Sequence, residues 1–263
     1  MFALILMSVL GLVFSLILVI SDRLFRVEED KRLKVILEVL PGINCGACGY
    51  PSCRQAAEAL LKGEADPGVC VAGGEEVAKK LVSILGGGIN TERVKKVAVL
   101  HCGAKSKKRK KSAHYEGIES CLAAHITGAE EACFYGCLGY GDCEKVCPVN
   151  AISLKDGLPE IDHEKCVGCG KCVEVCPRNL FELVPYEKPL YWVACNNPEP
   201  GKKVREVCSQ GCIGCKLCSK LSDGVFEIEN NLARINRDKS KEKSVDWEKV
   251  AEKCPSHCIL SSS

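Results

Sequence analysis

Cys166–Pro177 reads CVGCGKCVEVCP, four thiols at the spacing C-x2-C-x2-C-x3-C-P. Thiols crowded this tightly make poor disulfide partners, because a bridge needs specific Cα separations and Cβ directions. They suit a cofactor with several soft metal corners, for which thiolates are the preferred ligands. Working outward, the same ending recurs upstream in Cys133-x3-Cys137-x5-Cys143-x3-Cys147-Pro148. The whole chain carries 21 cysteines in 263 residues, far above average usage.

The run at 166–177 is the bacterial ferredoxin spacing, in which the fourth cysteine ligates the other cluster of a pair. The expected ligand sets are therefore Cys133, Cys137, Cys143 and Cys176 for one 4Fe–4S cluster, and Cys147, Cys166, Cys169 and Cys172 for a second. Between the two runs, residues 151–154 and 158–161 read as short strands around Asp156-Gly157, a hairpin signal.

Upstream, Cys45-x2-Cys48-x4-Cys53 with Cys70 gives four thiols in a Gly-rich segment, expected to hold a further cluster. Gly46 and Gly49 permit tight turns close to the sulfurs, and residues 54–62 predict a helix returning the chain to Cys70. Structural zinc sites favour two separated knuckles instead. A helix is also expected over residues 28–40, ended by Pro41-Gly42. The first twenty residues, MFALILMSVLGLVFSLILVI, are uncharged and long enough as a helix to cross a bilayer. Basic residues follow this run (Arg23, Arg26, Lys31, Arg32, Lys34), which favours a single-pass anchor with the remainder cytoplasmic over a cleaved signal. Reduced thiols fit that side of the membrane.

Downstream, Cys212-x2-Cys215-x2-Cys218 lacks a nearby Cys-Pro. A strand–turn–strand pattern around Asn230-Asn231, a charged segment over 237–242 and a helix over 245–253 intervene before Cys254-Pro255. The expectation is a ferredoxin-like half with one cluster on Cys212, Cys215, Cys218 and Cys254. Cys102, Cys121, Cys195, Cys208 and Cys258 remain. Cys102 and Cys195 each end an apolar run, VAVLHC and YWVAC, followed by a Lys-rich loop and another cysteine, a weak internal repeat. These thiols are open to disulfide pairing, metal binding or packing as small hydrophobes, and they are left off the ligand sets as structural.

The five histidines show no metal-ligand spacing. LGGGIN (85–90) follows a helix-like run and reads as a stop and linker, not a nucleotide fingerprint. Net charge is +2, so bulk charge selects no partner, and the basic run Lys105–Lys111 reads as a solvated loop with anionic lipid or an acidic protein as secondary possibilities. The fold class expected is α+β: a transmembrane helix (1–22), a small Cys-rich 4Fe–4S domain (23–90), a dicluster ferredoxin-like domain (91–194) and a single-cluster ferredoxin-like domain (195–263).

On LPGINCGACGYPSC with Cys70, CFYGCLGYGDCEKVCP, CVGCGKCVEVCP, GCIGCKLC and the apolar amino terminus, the chain resembles the B component of Rnf complexes, membrane-bound ion-translocating ferredoxin:NAD+ oxidoreductases. The resemblance implies an electron-entry subunit with no substrate chemistry of its own, and the cysteine spacings give it four 4Fe–4S clusters. Soluble ferredoxin would be the donor, and the membrane and peripheral subunits of the complex the partners. Membrane lipid would contact the N-terminal helix, and nucleic acid is not expected to bind. The rivals are an electron-transfer subunit of another membrane reductase and a zinc-rich membrane-tethered protein.

Overall fold

The computed structural model describes residues 2–25, 30–86, 88, 94–128 and 131–262. Part of the 85–90 linker and the start of the helix expected at 28 lie outside these residues. Helix α1 (Phe2–Leu24) has no acidic residue in its first turn and carries Arg23 in its last. Residues 5–24 have a mean hydropathy of 2.4 and bury nothing against the rest of the chain, so this helix is long and apolar enough to cross a membrane.

Three helices form the first cysteine unit: α2 (Lys31–Val39), α3 (Cys53–Lys62) and α4 (Gly74–Leu85). Asp30 caps α2 through its side chain. Ser52 caps α3 by accepting from the Gln55 N–H, and Gly63 ends it in the left-handed conformation, a start and stop legible in the residue types. Leu33, Ile36, Leu40, Ala57, Leu60 and Leu81 bury against one another.

The second unit pairs β1 (Lys96–Leu100) antiparallel with β4 (Phe181–Pro185) and contains a hairpin of β2 (Ile152–Lys155) and β3 (Leu158–Ile161). Short helices α5 (Cys121–Ile126), α6 (Asp142–Lys145) and α7 (Lys171–Val175) lie between these strands in sequence. The third unit repeats the plan. β5 (Tyr191–Val193) pairs antiparallel with β8 (Ile259–Ser261), and β6 (Phe226–Glu229) forms a hairpin with β7 (Leu232–Ile235). Helices α8 (Gly201–Val207), α9 (Leu217–Leu221), α10 (Arg237–Glu242) and α11 (Trp247–Glu252) complete it.

Tyr191 stacks on Trp247 at 5.5 Å, and Tyr191 and Val193 bury with Phe226, Val250 and Ile259. Tyr191 and Val193, which the sequence placed in the dicluster unit, therefore pack with the last unit, while Trp192 between them packs on the dicluster core. The charged segment 237–242 is a helix, capped by Asn236 accepting from the Asp238 and Lys239 N–H groups.

The two strand-bearing units meet where β1 and β5 end. Gly103 N–H donates to Ala194 O at 2.9 Å, Trp192 Nε1–H to Leu100 O at 3.1 Å, and His101 Nδ1 lies 2.7 Å from Val193 O.

Candidate metal centres

Three loops share one backbone path, and that path fixes the register of the cysteines. Gly139 and Gly141, Gly168 and Gly170, and Gly214 and Lys216 all have positive φ. In each pair the residues stand four and two positions before a cysteine: Cys143, Cys172 and Cys218. A Cβ on the first glycine of each pair would lie 2.7 Å from Gly157 O, 2.5 Å from Lys96 O and 2.7 Å from Asn231 O respectively, so each loop presses against neighbouring backbone that only glycine admits. Superposing the loops by this register aligns Cys137, Cys166 and Cys212. It also sets Tyr140 in the place held by Cys169 and Cys215.

The Cys-Pro turns repeat as well. Asn150, Asn179 and His257 have φ of 50°, 50° and 47°. Each donates its N–H to the carbonyl of the cysteine three residues before it: Cys147, Cys176 and Cys254. Cys254 thus holds the Cys-Pro position of the third loop, and Cys258 the position of Ala151 and Leu180.

Tyr140 leaves one corner of its loop without a thiol. Cys121, at the start of α5, stands there: Cys121, Cys137, Cys143 and Cys176 line one cavity. Asp142 brings α5 there, its Oδ2 accepting from Cys121 N–H at 2.8 Å and Ser120 Oγ at 2.9 Å. Burial pushes the Cys143 thiol up to about 12, with the Cys121 and Cys176 thiols adding to it.

Cys133, expected with Cys137, Cys143 and Cys176, does not line the cavity that those three share with Cys121. Cys133 lies outside the repeated loop and lines a different cavity with Cys102, Cys195 and Cys208. Counting back from Cys147-Pro148 at the ferredoxin spacing would have revealed this, since the spacing passes through Cys143, Tyr140 and Cys137 and never reaches Cys133.

Cys147, Cys166, Cys169 and Cys172 are neighbours in the structure. Burial pushes Cys172 up to about 12, with Cys166, Cys169 and then Cys143 adding. Burial also raises Cys169, helped by Cys45, Cys147 and Cys166. Ala98 N–H donates to Cys166 Sγ at 3.4 Å, and Ala151 N–H to Cys147 Sγ at 3.2 Å.

In the first unit Cys45, Cys48, Cys53 and Cys70 line one cavity. Asn44 Oδ1 accepts from the Cys53 N–H at 2.8 Å, tying the loop to α3, and Gly73 N–H donates to Cys70 Sγ at 3.3 Å. In the last unit Cys212, Cys215, Cys218 and Cys254 line a further cavity, with Cys258 at its wall.

These donor sets fit a cluster and not a single ion. A zinc ion draws four sulfurs to about 2.3 Å from one point, whereas among the described residues no three His, Cys, Asp or Glu side chains converge to hold one ion. The sulfurs stand around cavities, and backbone N–H groups point at them, as expected for sites that tune a cluster's potential. Burial holds the protons on Cys70, Cys143, Cys172 and Cys218. Four neighbouring thiolates thus form only against a strongly cationic core, which iron supplies.

Family comparisons agree with this layout. Residues 40–72 match the model described as "Putative Fe-S cluster". Residues 159–182 match a 4Fe-4S binding domain, and 207–260 the 4Fe-4S single cluster domain of Ferredoxin I. The B component of the Na(+)-translocating ferredoxin:NAD(+) oxidoreductase complex of Acetobacterium woodii is 39% identical over 96% of this chain and 75% of its own length. The proton-translocating counterpart of Clostridium ljungdahlii is 37% identical over 97% and 90% respectively. The B component of the ion-translocating oxidoreductase complex of Methanosarcina acetivorans is 35% identical over 88% of each chain. With this coverage, joined to the iron–sulfur loops, the chain belongs to the family of B components of ion-translocating, Rnf-type oxidoreductase complexes and is an iron–sulfur electron-transfer subunit of that kind.

Proposed function

We propose that this chain takes electrons from reduced soluble ferredoxin and delivers them to membrane partners of an Rnf-type complex, coupling ferredoxin oxidation to NAD+ reduction and Na+ or H+ translocation. In this reading α1 crosses the cytoplasmic membrane once. The cysteine-bearing units lie on the cytoplasmic side, consistent with Arg23, Lys31, Arg32 and Lys34 flanking the apolar run. Four 4Fe–4S clusters are seated by Cys45, Cys48, Cys53 and Cys70; by Cys121, Cys137, Cys143 and Cys176; by Cys147, Cys166, Cys169 and Cys172; and by Cys212, Cys215, Cys218 and Cys254. Bound there, the clusters supply one-electron redox chemistry. The chain's own residues space the sulfurs, keep water from them and donate N–H bonds that set the potentials.

The observation that carries this reading is the succession of cysteine sets. Cys143 of one set neighbours Cys172 of the next, and Cys169 of that set neighbours Cys45 of the unit that follows α1 in sequence. Electrons arriving in the ferredoxin-like units therefore have an exit toward the membrane-proximal unit. The test compares the intact complex with a Cys45→Ala complex in anaerobic membrane vesicles. Reduced ferredoxin should still bleach the visible bands of the ferredoxin-like units in the variant, while NAD+ reduction falls at least tenfold. Unchanged NAD+ reduction would overturn the route.

A further inference from the structure

Of the five cysteines left off the expected ligand sets, Cys258 stands beside the last set and Cys121 belongs to the dicluster unit. The other three meet Cys133 in one place. Cys102 follows β1 by two residues, and Cys195 follows β5 by two, so they hold equivalent positions in the two strand-bearing units. Cys208 ends α8, and Cys133 opens the turn before the first loop. All four line one cavity, equal in size to those in the first and last units. We propose that Cys102, Cys133, Cys195 and Cys208 hold an additional 4Fe–4S cluster, seated where the dicluster unit meets the C-terminal unit. This inference rests on the electron-transfer reading above.

The sulfurs are presented as ligand sulfurs are elsewhere in the chain. Cys102 Sγ accepts from Cys137 N–H at 3.4 Å. Cys133 Sγ accepts from the Tyr135 N–H and lies 3.7 Å from Asn197 Nδ2. Cys195 accepts from the N–H groups of Asn197 and Cys212, and Cys208 from those of Gln210 and Gly211. No pair among them is bridged.

A cavity that only packed thiols would be walled by apolar residues. This one is not. The described residues include seven buried polar or charged side chains, and four of them, His101, Arg109, Asn197 and Gln210, line this cavity. Arg109 and Arg178 are both buried and both interact electrostatically with the nearby cysteines. Arg109 is ion-paired with Glu131 at 3.6 Å, while Arg178 Nη1 donates to the carbonyls of Cys133 and Gly136 at 3.0 and 2.6 Å. Two guanidiniums buried beside one carboxylate favour an anion at this point. Cluster insertion supplies one. In transfer from a thiolate-ligated carrier of the cell's iron–sulfur assembly machinery, the carrier's bonds to the dicationic core break as four bonds to these sulfurs form, and the four protons released here pass to the freed carrier thiolates, leaving a site of net charge two minus.

The placement also closes a gap. Cys102 receives its N–H bond from Cys137, whose sulfur lines the neighbouring cavity, and Cys195 receives one from Cys212 of the C-terminal set. A cluster here joins the C-terminal unit to the dicluster unit, passing on each electron it receives with no net change.

The test uses the full chain, matured and purified without oxygen. Iron and acid-labile sulfide should each count about twenty per chain, four for each of five sets. Cys208→Ala and Cys195→Ala should each lose about four irons, or about one iron with the appearance of a three-iron signal, while the paired signal of the dicluster unit persists. A wild-type count near sixteen, unchanged in the variants, would overturn the inference and leave the proposed function standing. So would one zinc per chain with sixteen irons. A wild-type chain with few or no irons would sink both. If a variant fails to fold, the wild-type count alone decides.

Discussion

The backbone N–H of Cys137 points at the sulfur of Cys102, 3.4 Å away and 35 residues earlier in the chain. One residue thus serves two cavities: its sulfur lines the first and its amide addresses a sulfur of the second. Electrostatics follow the same path. Burial raises the Cys137 thiol most, Cys102 raises it further, and the Arg109 guanidinium opposes both. The first loop of the dicluster unit is therefore tied through this one residue to the cavity beside the β1 and β5 ends.

The exchange of Cys133 for Cys121 is testable by rescue. Cys121→Ala should abolish the magnetic interaction between the two clusters of the dicluster unit, and Cys133→Ala should leave that interaction in place. Tyr140 occupies the second-cysteine position of its loop, between two glycines of positive φ. Adding Tyr140→Cys to Cys121→Ala should therefore restore the paired signal. Electron paramagnetic resonance of the reduced proteins reads all three, and a normal paired signal in Cys121→Ala would refute the assignment.

The glycines of the loops differ in what they hold. Gly63 has φ of +71° and open space where a Cβ would go, whereas Gly168 has φ of +65° and Lys96 O at 2.5 Å. Gly63→Ala incurs only the left-handed backbone cost, about 1–2 kcal/mol. Gly168→Ala adds a clash with the start of β1 and should cost several kcal/mol, on the order of the largest single-residue effects. Cluster-loss half-lives at a fixed temperature should fall far more for Gly168→Ala, and equal losses would contradict this.

Much of the layout was legible because cubane ligation imposes rigid spacings. CVGCGKCVEVCP shows its cluster chemistry in one dimension, and so do the hairpins, whose turns at Asp156-Gly157 and Asn230-Asn231 have positive φ. The uncharged run before Arg23 was equally plain. What stayed hidden depends on contacts distant in sequence. Cys121 reaches its cavity because Asp142, 21 residues on, holds the N-terminus of α5. Cys102, Cys133, Cys195 and Cys208 share no spacing pattern, since they come from loops of two units that enclose one cavity. The repeat of VAVLHC and YWVAC was visible, but its meaning required the β1 and β5 ends to be side by side.

The basic run Lys105–Lys111 is only partly a free surface. Arg109 is buried and donates to the carbonyls of Cys137 and Gly157, and Lys105 is ion-paired with Glu160 at 3.1 Å. Lys107, Lys108 and Lys110 remain exposed and form a cationic edge suited to an acidic redox partner. Lys107→Glu with Lys110→Glu should slow ferredoxin oxidation roughly tenfold at low ionic strength and much less at high salt. Arg109→Glu should instead impair folding and lower the iron content. Stopped-flow rates across salt concentrations separate these outcomes, and a rate in Lys107→Glu/Lys110→Glu that is unchanged at low salt would remove the steering role.

Cys258 stands 3.6 Å from Cys254, sulfur to sulfur. Its thiol also donates to Cys212, which pulls the Cys212 and Cys254 thiols down to about 6 and about 5, while the proton stays on Cys258. Since Cys258 occupies the position of Ala151 in the Cys-Pro turn, its expected role is donor to the ligand sulfurs. Such a bond favours the more negative, reduced state of the C-terminal cluster. One hydrogen bond of about 1 kcal/mol corresponds to roughly 40 mV for a one-electron couple. Cys258→Ala should therefore lower that potential by about this amount without loss of iron, and Cys258→Ser, which keeps a donor, should recover much of the shift. Anaerobic redox titration measures the change. Loss of about four irons in Cys258→Ala would show that the residue is a ligand after all.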